Sequence, residues 1–197
     1  MTELTTIGLK YGTDKANYHG YTDFYHEHLA ARRADIHTVL EIGVWNGASL
    51  SMWKEYLPHA EVIGIDNWLH HFPAGCITVE GDATNPALYD NHPNLKGKTY
   101  DLIIDDGSHK CSHQQASFDI LWPRLNSGGV YIMEDVHSSF IPEHCDMRYT
   151  TYQLITDIDC IVDCLLLDFN AEVESVHEFW RVPGDTSDSG TIILIKK

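Results

Sequence analysis

The chain has 197 residues, of which 43% are hydrophobic, and its formal net charge at pH 7 is −16. This length fits one domain with a buried core, and we expect a single domain over residues 1–197. The negative charge repels a polyanion at long range, so nucleic acid is not expected as the main partner. A metal cation or a neutral, hydroxyl-bearing substrate suits such a surface better.

The cysteines and the apolar runs indicate the cellular setting. No apolar run approaches the roughly 20 residues of a membrane span, and the chain does not open on a secretory signal. The five cysteines contain no C-x-x-C pair, and Cys160 and Cys164 are expected to pack on a helix rather than to bind zinc. We therefore expect a soluble, cytoplasmic protein in a reducing compartment, with no membrane partner.

Residues 1–34 are predicted to form an N-terminal segment that caps a site. Small, charged and aromatic residues gather in residues 11–15 and 19–22, and an amphipathic helical pattern runs from Tyr25 to Arg33. This mixture is more typical of a cap over a site than of a core. The alternative is a solvated arm whose helix begins at an N-cap on Thr22 or Asp23.

A glycine loop within Thr38–Leu50 joins the first predicted strand to a helix over about residues 48–56. Gly43 and Gly47 frame this G-x-x-x-G loop, and the missing Cβ atoms allow the backbone to approach a ligand closely. The start of the helix would point its free N–H groups at that ligand. The loop lacks the middle glycine of the dinucleotide fingerprint, which favours a cofactor without phosphates. An ordinary strand-to-helix turn is the alternative.

The remainder of the chain alternates short apolar runs with helical patterns. Helices are predicted over about 112–125, where Pro123 bends or ends the regular part, and over about 151–169. Residues 136–149 are expected to form an irregular loop. The turn-rich connection 183–190 predicts that the last two strands are antiparallel. The further strands are expected at Glu61–Asp66, Cys76–Asp82, Thr99–Asp106, Gly128–Asp135, Val173–Val182 and Thr191–Ile195.

Each of the first five strands ends in a carboxylate. Open α/β sheets bind ligands beyond the carboxyl ends of their strands, so these acids are expected to converge at one edge. The repulsion between these negative charges would be costly if nothing compensated them, and a divalent cation would supply the compensating positive charge. The second acid follows the first by 25 residues, near the roughly 20-residue spacing at which an acid reaches ribose hydroxyls. The acids are Glu41, Asp66, Asp82, Asp105 with Asp106, and Glu134 with Asp135.

The acids of the fourth and fifth strands predict a metal site with a base beside it. Carboxylate oxygens select magnesium, calcium or manganese over zinc, and Asp106, Glu134 and Asp135 can reach one ion if these strands are neighbours. His109, three residues past Asp106, can accept a proton from a hydroxyl that the metal acidifies. The alternatives are that one acid of each pair caps a helix or binds a backbone amide, and that His109 caps the next helix or lies in solvent.

Together, five motifs in this order resemble the class I S-adenosylmethionine-dependent methyltransferases. Within them the chain is most similar to the metal-dependent macrolide and deoxysugar O-methyltransferases of the mycinamicin and macrocin type, related to the cephalosporin-hydroxylase-like group. Residues 12–15 and 19–21 also resemble the opening segment of that group, and the match covers roughly residues 8–137. The motifs are Glu41–Gly47, Ile63–Asp66, Gly81–Asp82, Asp101–His109 and Gly128–Asp135.

The resemblance implies a fold and a set of ligands. It implies a Rossmann-like, mostly parallel seven-stranded sheet with an antiparallel C-terminal strand and helices on both faces. It also implies S-adenosylmethionine as methyl donor, Mg²⁺ or Mn²⁺ on the same three acids, and His109 as the general base. Glu41 and Gly43 would lie near the methionine part, Asp66 at the ribose and Asp82 at the adenine amino group. The implied cofactor-binding residues are Thr13, Lys15, Glu41, Gly43, Trp45, Gly47, Ser49, Asp66, Asn67, Gly81, Asp82, Ala83 and Asp105.

We therefore expect an O-methyltransferase that acts on a sugar hydroxyl, such as that of a deoxyhexose like rhamnose, on a glycan or glycoside. A catechol-type O-methyltransferase is the enzymatic alternative, because vicinal aromatic hydroxyls chelate the same ion. A non-catalytic S-adenosylmethionine-binding subunit is the alternative from another class, and the missing glycine disfavours a dinucleotide oxidoreductase. The chain is shorter than the mycinamicin-type enzymes, and residues 138–190 do not align with them. A homo-oligomer is therefore an open alternative, and part of the acceptor pocket is not assigned.

Overall fold

The computed structural model describes residues 1–156, 172–182 and 188–197. Seven strands in this part form one sheet, whose order in sequence numbering is 3-2-1-4-5-7-6. The first five strands pair in parallel, and the seventh is antiparallel to both the fifth and the sixth. This confirms the predicted mostly parallel sheet with antiparallel C-terminal strands. The strands are β1 (Thr38–Ile42), β2 (Glu61–Asp66), β3 (Ile77–Glu80), β4 (Tyr100–Asp105), β5 (Leu125–Met133), β6 (Val173–Trp180) and β7 (Gly190–Lys196).

Helices cover both faces of the sheet, because buried strands carry apolar side chains on both sides. In β1, Val39 packs in one apolar core with the helices that begin at residues 3, 21 and 48. Leu40 packs in a second core with the helices that begin at residues 86, 111 and 151. In the part of the chain that the structure describes, 3-10 helices lie at Ala30–Asp35, Trp122–Arg124 and Val136–Phe140. The α-helices are α1 (Glu3–Tyr11), α2 (Asp14–Asn17), α3 (Tyr21–Leu29), α4 (Ala48–Tyr56), α5 (Pro86–Asn91), α6 (Cys111–Leu121) and α7 (Thr151–Thr156).

The N-terminal segment is more helical than the sequence analysis predicted. Helix α1 was not predicted, and the proposed N-cap at Thr22 or Asp23 is wrong, because α3 begins at Tyr21 after Gly20, which has φ +75°. The side chains of Thr22 and Asp23 instead bind α1. The hydroxyls of Thr22 and Thr5 lie 2.9 Å apart, and Asp23 Oδ1 accepts from the backbone amide and the hydroxyl of Thr2.

The other predicted bounds differ at the ends of elements. Helix α6 ends at Leu121 and a 3-10 turn containing Pro123 follows it, as the proline predicted. Strand β5 begins at Leu125, three residues earlier than predicted. The predicted helix over 151–169 is helical in Thr151–Thr156, and its later part, with Cys160 and Cys164, lies outside the described residues, as does 183–187.

The order of the strands places a crevice beside β1. From β1 the chain moves to β2 and β3 on one side, and then to β4 and β5 on the other. The loops that follow β1 and β4 therefore diverge, and such a point is where open α/β sheets bind ligands. No helix in the described part of the chain has the length and apolar character needed to cross a membrane.

Candidate functional site

A cavity of about 850 Å³ opens at this carboxyl edge of the sheet. Most of the residues predicted to bind the cofactor, the metal or the proton line it. Four do not: Lys15, Glu41 and Glu134 are buried, and Gly47 lines a neighbouring depression. The predicted residues that line the cavity are Thr13, Gly43, Trp45, Ser49, Asp66, Asn67, Gly81, Asp82, Ala83, Asp105, Asp106, His109 and Asp135.

Gly43 is required by the backbone of the neighbouring loop. Its φ is +93°, and a Cβ at this position would lie 2.1 Å from the backbone oxygen of Asp106. The sequence pattern predicted that this missing Cβ makes room for a ligand, but in the structure the space is taken by the loop after β4. Gly43 therefore allows the loop that carries Asp106 and His109 to pack against the loop after β1.

Asp66 fixes the conformation of the glycine loop. Its Oδ2 accepts hydrogen bonds from the backbone amides of Val44 (2.9 Å) and Trp45 (3.1 Å), and its Oδ1 accepts from the amide of Trp68 (3.0 Å). Because both oxygens accept from backbone amides, the carboxylate fixes the backbone on either side of it at the edge of the cavity. A contact of Asp66 with ribose hydroxyls stays a prediction.

Asp82 is held by a local turn after β3. Its Oδ1 accepts from the backbone amide (2.9 Å) and the hydroxyl (2.7 Å) of Thr84, and these bonds lower the pKa of Asp82. The carboxylate is therefore ionised and fixed at the cavity wall. A hydrogen bond from the adenine amino group to Asp82 stays a prediction.

Lys15 places its ammonium inside the acidic cluster. The residue is 1% exposed, and Nζ donates to Asp106 Oδ2 and to Glu134 Oε2 (2.9 Å), and lies 3.4 Å from Glu41 Oε1. Burial alone would lower the pKa of Lys15, but the three carboxylates outweigh burial and raise it well above its ordinary value. Lys15 was predicted to bind the cofactor, whereas the structure shows its ammonium paired with these acids.

One buried ammonium does not compensate all of these acids. Burial raises the pKa of Glu41 to about 7, although Lys15 opposes the shift, and burial also raises the pKa of Asp105 to about 7. Burial likewise raises the pKa of Glu134 well above its ordinary value. The acids that the sequence predicted therefore meet at this edge of the sheet, and burial without full compensation disfavours their ionised forms.

Asp106, His109 and Asp135 form a group that could hold a cation. Each offers one ligand atom, and these atoms lie within 4.8 Å of one another. Glu134, the third predicted ligand, has Oε2 on Lys15, whereas its buried Oε1 has no hydrogen-bond partner. Carboxylate oxygens are the ligands that a hard divalent cation prefers, and the unpartnered Oε1 belongs to the residue that precedes Asp135 in the chain. That Asp106, Glu134 and Asp135 together bind a metal ion stays a prediction. His109 is the alternative to Glu134 as the third ligand.

The cavity wall also concentrates strained backbone. In the described residues, the non-glycine positions with positive φ are Trp45 (+43°), His109 (+59°) and Asp135 (+53°), and all three line the cavity. A side chain in the left-handed region costs roughly 1–2 kcal/mol, and such strain clusters at functional sites. The strain supports the assignment of a functional role to this cavity.

Several residues near Asp135 were not predicted to belong to the site. The hydroxyl of Tyr21 donates to Asp135 Oδ1 (2.8 Å), and Nδ1 of His19 and Nδ1 of His137 each lie 3.8 Å from the same oxygen. His109 Nε2 lies 3.5 Å from Asp135 Oδ2. Tyr21 and His19 are more than 100 residues from Asp135, so no local pattern could reveal these contacts. The resemblance of residues 19–21 to a family segment was the available signal.

Comparisons with known proteins identify the domain. A family model described as a methyltransferase domain matches residues 40–136. The 8-demethyl-8-alpha-L-rhamnosyl tetracenomycin-C 2'-O-methyltransferase of Streptomyces olivaceus is 38% identical over 148 residues, which cover 71% of this chain and 39% of that protein. The mycinamicin VI 2''-O-methyltransferase of Micromonospora griseorubida is 33% identical over 150 residues, which cover 71% of this chain and 37% of that protein.

Solved structures extend the similarity to the whole chain. The MycE methyltransferase of the mycinamycin biosynthetic pathway, in complex with Mg and SAH, superposes with a TM-score of 0.80 at 26% identity, over 99% of this chain and 55% of that one. The complex of MycE with Mg, SAH and mycinamycin VI gives the same TM-score of 0.80, over 54% of MycE. The aligned part covers less than two-fifths of each of the two curated relatives. The family model, the curated relatives and the structural similarity to MycE together show that residues 40–136 of this chain are a methyltransferase domain.

Proposed function

We propose that this chain is an S-adenosylmethionine-dependent and magnesium-dependent O-methyltransferase that acts on a sugar hydroxyl of a glycosylated small molecule. The observation that carries the proposal is the meeting of Asp106, His109 and Asp135 at the wall of one cavity. The relatives named for rhamnosyl and mycinamicin compounds, and the MycE complexes with Mg and SAH, support the substrate class and the ligands.

The cofactor and the acceptor would occupy different parts of the cavity. The loop after β1, with Gly43 and Trp45, and the strand-end acids Asp66 and Asp82 would bind the cofactor, and the loops after β4 and β5 would face the acceptor. Asp106, Glu134 and Asp135 would hold magnesium, which when bound supplies the positive charge that makes an acceptor hydroxyl easier to deprotonate.

His109 would act as the general base in this arrangement. Its imidazole is 29% exposed and borders the cavity, and Nε2 lies 3.5 Å from Asp135 Oδ2. The imidazole would take the proton of the acceptor hydroxyl, and the acceptor oxygen would attack the methyl carbon as the carbon–sulfur bond breaks. Asp135 would orient the ring and stabilise the imidazolium that forms. Positioning of the reacting atoms would supply much of the rate.

The substitution His109→Ala tests this role. Because the side chain would be the proton acceptor, we expect methyl transfer to a rhamnoside acceptor to fall by about 10²–10⁴-fold, the range of general-base catalysis, while the affinity for S-adenosylhomocysteine is retained. Transfer is measured by the mass of the methylated product. The matched control is His59→Ala, at an exposed histidine just before β2, at the opposite edge of the sheet.

A magnesium titration of the same variant separates a base from a ligand. If His109 acts as the base, magnesium affinity is unchanged in His109→Ala. A loss of magnesium binding together with activity would instead make His109 a ligand in place of Glu134. Full activity of the variant would contradict both roles. A panel of rhamnosides and catechols distinguishes the sugar acceptor from the catechol alternative, and the absence of transfer to any of them would favour a non-catalytic binding subunit.

A further inference from the structure

Lys15 is the buried cation of the acidic cluster. It lies in α2 with 1% of its surface exposed, and its ammonium contacts Asp106, Glu134 and Glu41. Within the described residues, no other lysine or arginine forms an ion pair with these three carboxylates. The packing of α2 therefore places a fixed positive charge beside the proposed metal ligands.

The ammonium of Lys15 and a bound metal ion would contact different oxygens of these carboxylates. Lys15 takes Oδ2 of Asp106 and Oε2 of Glu134, which leaves Oε1 of Glu134 buried and without a hydrogen-bond partner. A buried carboxylate oxygen without a partner carries a desolvation cost that a bound cation would relieve. The Oε1 of Glu134, and Asp135, which forms no ion pair with Lys15, therefore stay available to the ion.

We propose that Lys15 is an internal counter-ion of the magnesium site, which holds Asp106 and Glu134 in place when no ion is bound and weakens the binding of the ion. This inference rests on the proposed function, because it needs the metal site at these acids. Lys15 is a positioning residue, since it touches the carboxylates rather than the reacting atoms. The consequence is a site that stays folded without its ion and exchanges it readily.

The direction of the effect follows from electrostatics. Without Lys15, the buried carboxylates repel one another, so the metal-free protein loses stability. The metal-bound protein loses less, because the dication also compensates the acids and is no longer repelled by the ammonium. The difference between these two losses of stability equals the gain in the free energy of magnesium binding. A neutral side chain of similar length at position 15 therefore strengthens magnesium binding.

The test is the variant Lys15→Met, studied by calorimetric titration with magnesium and by thermal unfolding with and without the ion. We expect the melting temperature without magnesium to fall below that of the wild type, and the rise on adding magnesium to be larger. We expect the dissociation constant for magnesium to fall by about tenfold, since charges a few ångströms apart repel strongly even at an effective dielectric constant of about 20. The control is Lys98→Met, which removes the ion pair of Lys98 with Glu61 at the opposite end of β2.

Two outcomes would overturn the counter-ion role while leaving the metal site intact. If the wild type binds magnesium and Lys15→Met binds it equally, the ammonium is not coupled to the ion. If the variant binds magnesium more weakly, Lys15 assists the ion rather than opposing it. A wild type that does not bind magnesium would overturn both this inference and the metal dependence of the proposed function.

A second variant keeps the test informative if Lys15→Met does not fold. The double variant Lys15→Met with Glu41→Gln removes the ammonium together with one of the carboxylates that it contacts, so less repulsion is left than in Lys15→Met alone. We expect it to fold and to bind magnesium at least as tightly as the wild type, because Asp106 and Glu134 are unchanged and the ammonium that repels the ion is absent. Weaker binding in the folded double variant would contradict the inference.

Discussion

Gly43 links the cofactor loop to the loop that carries the proposed base. Its φ of +93° is a conformation that costs other residues, and its missing Cβ leaves room for the backbone oxygen of Asp106. Asp66 holds the same loop from the other side through two backbone amides. At the scale of single residues, the geometry of the site thus depends on contacts between loops as well as on the proposed ligands.

We expect Gly43→Ala to lower both stability and methyl transfer. The left-handed φ costs about 1–2 kcal/mol, and displacement of the Asp106 backbone adds about 1–3 kcal/mol. The loss is measured as the free energy of unfolding in urea. The matched control is Gly97→Ala, at φ +71° with no atom within 4 Å of the added Cβ, which isolates the cost of the backbone conformation. Equal losses in the two variants would contradict the role given to the Asp106 contact.

The partners of a buried charge could not be predicted from local sequence. Lys15 was placed at the site by family resemblance, but its contacts with Asp106 and Glu134 span 91 and 119 residues. Such pairs arise only when α2 packs over the carboxyl edge of the sheet. By contrast, the sequence did predict that the acids at the strand ends meet at one edge of the sheet. The parallel pairing of β4 and β5, which the prediction of the metal site took as its condition, brings Asp106 and Asp135 together.

Helices α1 and α3 are joined by a network of hydroxyls around one carboxylate. Asp23 Oδ1 accepts from the backbone amide (2.9 Å) and the hydroxyl (2.8 Å) of Thr2, and also from the hydroxyl of Thr5. The hydrogen bonds from Thr5 and Thr2 hold the pKa of Asp23 at about 2, below its ordinary value of 3.8. At the scale of elements, this carboxylate fixes the N-terminal segment that brings Thr13 and Lys15 to the site.

We expect Asp23→Ala to destabilise the protein at neutral pH by at most about 1 kcal/mol, because Asp23 is exposed and solvent screens its interactions. Since its pKa is lowered on folding, the contribution is fully present above about pH 4 and is lost as the pH falls towards 2. Urea unfolding at pH 6 and pH 2.5 should show the difference from the wild type shrinking at the lower pH. The exposed Asp35, changed to alanine, is the control. A difference independent of pH would contradict the role of the ionised carboxylate.

Each strand is a short apolar run with a clear beginning and with an acid or a glycine at its end. The positions of the strands could therefore be predicted from the sequence. Helix α1 was missed, although Thr2 as its N-cap and Gly12 as its left-handed C-cap are both sequence signals. The concentration of polar residues after it favoured a loop. The start of α3 was misplaced because Thr22 and Asp23, which are typical N-cap residues, bind the neighbouring helix instead.

At the scale of the whole molecule, the strand order and two apolar cores position the chemistry. The reversal of strand order at β1 opens the crevice, and helices on both faces leave the carboxyl edge free for loops. The apolar runs that fill the two cores could be read from the sequence, and the mostly parallel sheet was implied by the family resemblance. The order of the strands was not predicted, because apolar periodicity does not determine which strands pair. The acceptor could not be predicted to the same depth, because its binding depends on loop residues with no regular pattern.

The most direct test of the proposed function is calorimetric titration with S-adenosylhomocysteine and with magnesium, applied to the wild type and to Asp135→Asn. We expect the wild type to bind both ligands. The variant should retain S-adenosylhomocysteine binding and lose magnesium binding by at least about tenfold, because one charged ligand of the ion is removed. Failure of the wild type to bind S-adenosylhomocysteine, or magnesium binding that is unchanged in Asp135→Asn, would contradict the cofactor site or the metal site, respectively.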